Sequence, residues 1–209
     1  MSAEPVLPPP LLALSPGDLG RAGVERFVAA AVRARAAGLA GLVLREPTLD
    51  EHAYVELARR LRATFAGAWL AVHDRAHLAL PLGADAVHVG FRSLTPAVLR
   101  TWLDARLALG LSTHADDDAR PWADADYLFH GPVFDTPSKR GLVEPIGLAG
   151  LVRATGRTTR PTWALGGIRP DRVRDVLATG VQGVAVRAGI FGADDPARAV
   201  EGLLAAFGK

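Results

Sequence analysis

The stretch WALGGIRPDRVRDVLATGVQGVAVRAGIF, residues Trp163 to Phe191, holds two short apolar runs with a helical segment between them. Both runs, WALGG and GVAVRAGIF, contain glycine where the apolar character ends. Such runs are typical of buried parallel strands, so the stretch predicts a strand–helix–strand unit. Glycine at both strand ends allows a phosphate to approach the backbone N–H groups, although glycine also serves simply to end a strand tightly.

The same alternation continues along the whole chain. Alanine- and arginine-rich segments with helical spacing, such as 24–37 and 53–61, separate eight apolar runs. The runs cover residues 11–14, 41–46, 69–74, 86–91, 110–115, 127–134, 161–167 and 183–191. Eight strands, each followed by a helical segment, predict one (β/α)8 TIM barrel over residues 11–209. A doubly wound sheet is the alternative, but no GxGxxG fingerprint follows the first strand.

Composition limits the classes of function. The chain has 209 residues, a formal net charge of +2 and no cysteine, which excludes disulfides, thiolate metal sites and cysteine nucleophiles. The sequence has no cluster of basic residues of the kind that binds nucleic acid, and no apolar run is long enough to span a membrane. Residues 1–10, MSAEPVLPPP, lack the pattern of a signal peptide and are predicted to form a flexible lead-in. We therefore expect a cytoplasmic protein with no membrane partner.

In a TIM barrel the working groups lie at the carboxyl ends of the strands, and the last two loops often bind phosphate. We therefore expect Gly166 and Gly167 after strand seven, and Arg187 and Ala188 after strand eight, to form a phosphate site. The other predicted strand ends carry polar side chains, namely Arg45, Glu46, His73, Asp74, Ser112, His114 and His130. Histidine exchanges protons near neutral pH, which makes His114 and His130 acid–base candidates.

Four segments resemble the thiamine phosphate synthase/TenI family, in the family's order. They are VHDRAHLALPLGADAVHVG, GLSTHADDDA, DYLFHGPVFDTPSKRG and ALGGIRPDRVRDVLATGVQGVAVRAGIFGADDP. The resemblance implies a (β/α)8 barrel and a homodimer. Synthases of the family join a pyrimidine diphosphate to a thiazole phosphate with Mg²⁺, whereas TenI members bind a thiazole phosphate and some of them tautomerise it.

The thiazole-phosphate half of the family's site is matched. By resemblance, Thr136, Ser138 and Lys139 contact the ligand and its phosphate, and Ser112 is a further polar contact. Gly167 and the backbone of Arg187 and Ala188 fall at the phosphate, with Ala188 in place of the family's serine. Lys139 is one of only two lysines in the chain, and a compact ammonium suits a phosphate oxygen.

The diphosphate half departs from the family pattern. The family's Gln-x-Arg-x-Lys becomes VLREP, residues 43–47, so only Arg45 remains of its three polar groups. The family's Asn-Asp becomes His73-Asp74, and Ser93 replaces its second magnesium carboxylate. We therefore expect no metal cofactor, with Asp74 as the ligand if Mg²⁺ is used.

These comparisons predict a TenI-like thiamine-biosynthesis protein that binds a thiazole phosphate and tautomerises it. The tautomerase histidine of the family is replaced by Pro132, but His130 lies two residues earlier. Residues two apart on a strand face the same side, so His130 is predicted to reach the site from a position deeper in the barrel. His130 is therefore the first acid–base candidate, followed by Glu46 and His114. Two alternatives remain: an active thiamine phosphate synthase, and a non-catalytic barrel that carries or senses a phosphorylated ligand.

Overall fold

The computed structural model describes residues 4–115, 117–136 and 143–208. Eight parallel strands close into a barrel, each paired with the next along the chain and the last with the first. They are β1 (Leu11–Leu14), β2 (Gly41–Leu44), β3 (Trp69–His73), β4 (Ala86–Val89), β5 (Ala108–Thr113), β6 (Tyr127–His130), β7 (Thr162–Leu165) and β8 (Gly183–Val186). The predicted (β/α)8 fold is confirmed.

Helices cover the outside of the barrel. They are α1 (Val24–Ala36), α2 (Glu51–Thr64), α3 (Ala76–Ala79), α4 (Pro96–Arg100), α5 (Gly147–Thr155), α6 (Val173–Leu177), α7 (Ala188–Phe191) and α8 (Pro196–Phe207). Short 3-10 helices occupy Arg21–Gly23, Arg120–Asp124 and Pro170–Arg172. The predicted final run 183–191 is divided, because the strand ends at Val186 and its last four residues form α7. None of the described helices is long and apolar enough to cross a bilayer.

Successive strand residues face opposite sides of the barrel wall, which creates two apolar layers. The outer layer packs strands such as β2 and β4, through Leu42 and Val87, against the helices. The inner layer fills the barrel with Leu12, Leu14, Val43, Trp69, Ala71, Ala86, Ala108, Tyr127, Phe129, Trp163 and Ala185. The two layers give a direct test of which way each polar strand-end side chain points.

The N-terminal segment lies across the amino end of the barrel. The indole Nε1 of Trp69 donates to the Val6 carbonyl at 3.0 Å, and that of Trp163 donates to the Pro9 carbonyl at 2.9 Å. The Val184 N–H donates to the Pro10 carbonyl at 2.8 Å. Because buried indole N–H groups need acceptors, residues 6–10 are bonded to the barrel rather than forming the flexible lead-in predicted for residues 1–10.

The N-terminal segment packs so closely on the amino end of the barrel that no side chain fits at Gly183. A Cβ there would overlap the Pro10 carbonyl oxygen and lie 2.6 Å from Trp163 Nε1. Gly183→Ala should lower the free energy of unfolding by about 1–3 kcal/mol, the usual cost of overpacking. Urea denaturation measures this. Gly20→Ala is the matched control, because nothing lies within 4 Å of a Cβ at Gly20. Equal stability of the two variants would contradict the close packing of the N-terminal segment on Gly183.

Candidate active site at the carboxyl ends of the strands

His73, His88 and Ser112 point into the barrel at its carboxyl end. They lie on the inner face of their strands, in step with inner-layer residues such as Ala71 and Ala86. His88 is 1% exposed and stacks on the Phe129 ring with a centroid distance of 4.1 Å. Its Nε2 lies 2.9 Å from Ser112 Oγ, and its Nδ1 lies 3.3 Å from the Tyr127 hydroxyl oxygen. His88 therefore holds Ser112 in place beneath the opening at the carboxyl end of the barrel, which we call the mouth.

Burial lowers the pKa of His88 well below its ordinary value, and the nearby His73 lowers it further. The ring is thus neutral at neutral pH. Sequence reasoning did not assign a role to His88. The signal that identifies it is its spacing from Ala86, because residues two apart on a strand share a face.

His73, Asp74 and Ser93 form a hydrogen-bonded group where β3 and β4 end. His73 Nδ1 lies 2.9 Å from Asp74 Oδ2, and the Ser93 hydroxyl donates to Asp74 Oδ1. Ser93 Oγ in turn accepts the Gly90 N–H at 2.7 Å. Burial raises the pKa of the Asp74 carboxyl, but the His73 and Ser93 contacts outweigh it and lower the pKa overall. Asp74 is therefore a carboxylate at neutral pH.

Arg45 and Arg187 bring two positive charges to another part of the mouth. Each lies two residues beyond an inner-layer residue, Val43 or Ala185, so both point to the inner side. Their guanidinium groups approach Gly17 in the loop after β1. A Cβ at Gly17 would lie 2.8 Å from Arg45 Nη1 and 3.9 Å from Arg187 Nη1. This cationic corner lies beside the end of β8.

Backbone donors face the space between β7 and β8. The Arg187 carbonyl accepts the N–H groups of Ile190 and Phe191, so those of Ala188 and Gly189 are first-turn donors with no acceptor inside α7. Gly166 and Gly167 both have positive φ, 100° and 65°. Such backbone geometry, next to a cationic side chain, suits an anion.

Packing gives the paired glycines a second reason to be there. A Cβ at Gly166 would lie 2.6 Å from Pro132 Cβ, and one at Gly167 would lie 2.7 Å from the Asp135 carbonyl oxygen. The loop after β6 thus presses directly on the end of β7, and glycine is required with or without a ligand. The case for an anion therefore rests on Arg187 and the backbone donors of α7.

The loop after β6 carries the remaining predicted ligand contacts. Thr136 is partly buried at the end of the described part of this loop. Ser138 and Lys139 lie outside the described residues. The predicted contact of these three side chains with phosphate stays a prediction.

The orientation predicted for His130 is wrong. Phe129 occupies the inner layer, so the next residue points outward, where His130 is 2% exposed and packs edge-on against Trp122. The Thr113 hydroxyl donates to the Phe129 carbonyl and therefore accepts His130 Nδ1–H, with 2.7 Å between the two atoms. Burial lowers the pKa of His130 to about 4. His130 is thus a neutral group between the barrel and its helices.

Glu46 and His114 are likewise engaged by the protein. The Glu46 carboxylate is 2% exposed and accepts the N–H groups of Gly17 and Leu19 at 2.8 and 2.9 Å, which fixes the loop after β1. His114 lies at the rim, where its ring meets Phe91 at 6.2 Å and its Nδ1 lies 3.4 Å from Asp117 Oδ2. Glu46 is thus not a free acid–base group, and His114 is in contact with Phe91 and Asp117.

The donor set at Asp74 does not fit the Mg²⁺ that the family resemblance implies. Mg²⁺ requires oxygen ligands in near-octahedral geometry. Here both carboxylate oxygens of Asp74 are engaged, one by an imidazole and one by a hydroxyl. Within the described ranges, no three His, Asp or Glu side chains are grouped to hold a metal ion.

The fold and the mouth define a (β/α)8 barrel whose polar side chains gather at the carboxyl ends of the strands, as in barrel enzymes. The family model described as thiamine monophosphate synthase matches residues 17–190. The chain therefore belongs to the thiamine monophosphate synthase (TMP-TENI) family.

Similar proteins extend over nearly the same length. The chain is 40% identical to the thiamine-phosphate synthase of Laribacter hongkongensis, over 89% of this chain and 88% of that one. It is 38% identical to the thiamine-phosphate synthase of Moorella thermoacetica, over 81% and 83%. The structure of thiamine phosphate pyrophosphorylase from Pyrococcus furiosus superposes with a TM-score of 0.81 at 28% identity, covering 94% of each chain.

The buried state of His130 predicts a pH dependence of stability. The folded-state pKa of about 4 lies below the ordinary value of 6.5, so the unfolded chain binds more protons between these values. Stability should fall as pH drops from 6.5 to 4, with about 2–3 kcal/mol coming from this residue. Chemical denaturation at several pH values should show a shallower decline for His130→Gln. His52→Gln, on the exposed surface of α2, is the control; identical curves for wild type and His130→Gln would contradict the assignment.

The cationic corner predicts which arginine matters for anion binding. If an anion binds here, Arg187→Gln should weaken the binding of inorganic phosphate about 10-fold or more, because a hydrogen bond to a charged group contributes about 1.5–3 kcal/mol. Isothermal calorimetry measures the effect. Arg169→Gln is the control, because Arg169 is paired with Asp171 at 3.2 Å outside the mouth. Equal affinities of both variants would remove Arg187 from the anion site.

Proposed function

We propose that this chain acts in thiamine biosynthesis, where it binds a thiazole phosphate in the mouth of the barrel and shifts a proton on it. The observation that carries the binding proposal is the cationic corner of Arg45 and Arg187 beside the free donors of Ala188 and Gly189. A phosphate there meets two guanidinium groups and backbone N–H groups, the combination that binds phosphate in many proteins.

The inward side chains next to this corner suit the thiazole ring. Ser112 offers a hydroxyl held by His88, and His73 offers an imidazole. Both lie on the β3–β5 side of the mouth, across from the phosphate. A ligand with a phosphate at one end and a polar heteroaromatic ring at the other matches this division.

A proton shift is the chemistry that the available groups support. The mouth contains an imidazole with a carboxylate partner, and acid–base catalysis of this kind typically contributes about 10²–10⁴-fold in rate. It needs no metal and no second substrate. The groups that would bind a diphosphate, in contrast, are reduced to Arg45 where the family's pattern has three polar side chains.

The second candidate is thiamine phosphate synthesis, which the names of the similar proteins favour. In this case Arg45 and Lys139 would bind the diphosphate of the second substrate, and Asp74 would have to release His73 and Ser93 to bind Mg²⁺. The third candidate is a carrier or sensor, which would bind the phosphorylated ligand without turnover.

Magnesium separates these functions. If the protein binds a thiazole phosphate without metal, its dissociation constant should change less than threefold when millimolar Mg²⁺ is added. A tenfold tightening, about 1.4 kcal/mol, that disappears in Asp74→Asn would instead favour the synthase. Calorimetry with and without Mg²⁺ provides the measurement.

Turnover completes the test. Wild-type protein should convert the thiazole phosphate tautomer without Mg²⁺, which NMR of the ligand follows directly. Thiamine phosphate formation from both substrates with Mg²⁺ would overturn the proposal in favour of the synthase. Binding with no turnover under either condition would favour the carrier.

A further inference from the structure

The group formed by His73, Asp74 and Ser93 is a chain of hydrogen bonds that ends in an unbonded imidazole nitrogen. It runs from the Gly90 N–H to Ser93 Oγ, from the Ser93 hydroxyl to Asp74, and from Asp74 to His73 Nδ1. No described residue donates to or accepts from His73 Nε2. Gly90 is the neighbour of this atom, since a Cβ there would lie 3.8 Å from it, at van der Waals distance.

The carboxylate determines which ring nitrogen carries the proton. A carboxylate accepts hydrogen bonds, so His73 Nδ1, at 2.9 Å from Asp74 Oδ2, is the ring nitrogen that donates. Nε2 then has a free lone pair and is the basic atom. The imidazole is thus oriented in the way that a carboxylate orients a catalytic histidine.

The backbone holds Asp74 in an uncommon conformation to make this contact. Among the described residues, Asp74 is the one non-glycine with a positive φ, 64°. Its N–H donates to the His88 carbonyl at 3.0 Å, and the Arg75 N–H donates to the His73 carbonyl at 2.8 Å. Such conformations cost energy, more for most residues than for aspartate, and are concentrated at functional sites. Here it turns the carboxylate back onto the preceding histidine.

We propose that His73 is the catalytic acid–base residue of this barrel, with Asp74 and Ser93 as its positioning residues. The inference rests on the proposed function and names the group that moves the proton. His73 stands where the family's pattern has asparagine, and Ser93 where it has a second magnesium carboxylate. Where the family's pattern has its magnesium carboxylates, this chain has an imidazole paired with a single carboxylate.

The other histidines near the mouth do not combine a short contact between Nδ1 and a carboxylate with an unbonded Nε2. Both ring nitrogens of His88 have partners, Tyr127 and Ser112, and the ring is buried. His114 also has a carboxylate near Nδ1, but Asp117 Oδ2 lies 3.4 Å away and accepts the backbone N–H of His114 at 2.6 Å. The His73 side chain is 13% exposed and faces inward, so a ligand in the mouth reaches Nε2 while most of the ring stays fixed.

The proton balance of the step is closed. His73 Nε2 removes a proton from a carbon of the bound thiazole, and the C–H electron pair moves into the ring's conjugated system. The imidazolium, stabilised by Asp74, returns a proton at the other end of that system. No oxidant, reductant or co-reactant enters, and the ligand keeps its composition.

Three substitutions test the assignment in D₂O, where NMR follows deuterium entering the bound thiazole phosphate. His73→Asn should lower the exchange rate at least 100-fold, with the dissociation constant from calorimetry changed less than threefold. Asp74→Asn should lower kcat about 10-fold or more with KM unchanged. For His73→Ala, added imidazole should restore part of the lost exchange, a response that a purely structural role would not give.

His77→Ala is the matched control, since His77 is also paired with a carboxylate, Glu51 at 3.6 Å, but its side chain is exposed on the surface of α3. It should exchange at the wild-type rate. If wild type binds and exchanges the ligand while His73→Asn exchanges equally fast, the inference is overturned and the proposed function stands. If wild type does not bind thiazole phosphate at all, the proposed function itself is wrong.

Discussion

Each residue of a barrel strand faces either the interior or the surrounding helices, and the residue after it faces the other way. This constraint determines the site, because the strands carry polar residues side by side at their carboxyl ends. On β5 it sends Ser112 inward and Thr113 outward, and on β6 it keeps Phe129 inside and turns His130 out. A shift of one residue along a strand therefore decides whether an imidazole faces the interior, where it can contact a ligand, or the helices.

The sequence was sufficient for the fold, since eight apolar runs with helical segments between them predict the barrel that the structure contains. Strand ends were predicted less well. The run 183–191 reads as one strand, but apolar residues at its end serve equally well in the helical turn of α7. The packing of the N-terminal segment on the amino end of the barrel could not be predicted. Its two indole hydrogen bonds join residues that are 63 and 154 positions apart in the chain, and they end on backbone carbonyls.

For the site, residue type identified the right strand ends but not the partners. Glu46 has the chemistry of a general base, yet its carboxylate is engaged by two backbone N–H groups, which no sequence pattern records. Asp74 was recognised through the metal pattern, whereas its contacts with His73 and Ser93 depend on an uncommon φ. No sequence pattern indicated the role of His88, because that role is to position Ser112 through a contact that only the structure shows.

These contacts divide the mouth into two parts with different electrostatics. The β1, β2 and β8 side is cationic, through Arg45 and Arg187, and suits the anionic end of a ligand. The β3 to β5 side holds two imidazoles, a hydroxyl and one engaged carboxylate, and suits proton exchange with an uncharged ring. A second, diphosphate-bearing substrate would place several negative charges beside Asp74, and among the described residues no arginine or lysine forms an ion pair with that carboxylate, whose partner is His73.

The central claim is that one phosphorylated heteroaromatic ligand spans these two parts. A crystal structure of the protein with bound thiazole phosphate tests it most directly. We expect the phosphate at the ends of β7 and β8, within hydrogen-bond distance of Arg187 and the Ala188 N–H, and the ring within 4 Å of His73 Nε2, about the distance of van der Waals contact. A phosphate bound at Asp74 through a metal ion, or a ring turned away from His73, would contradict the account.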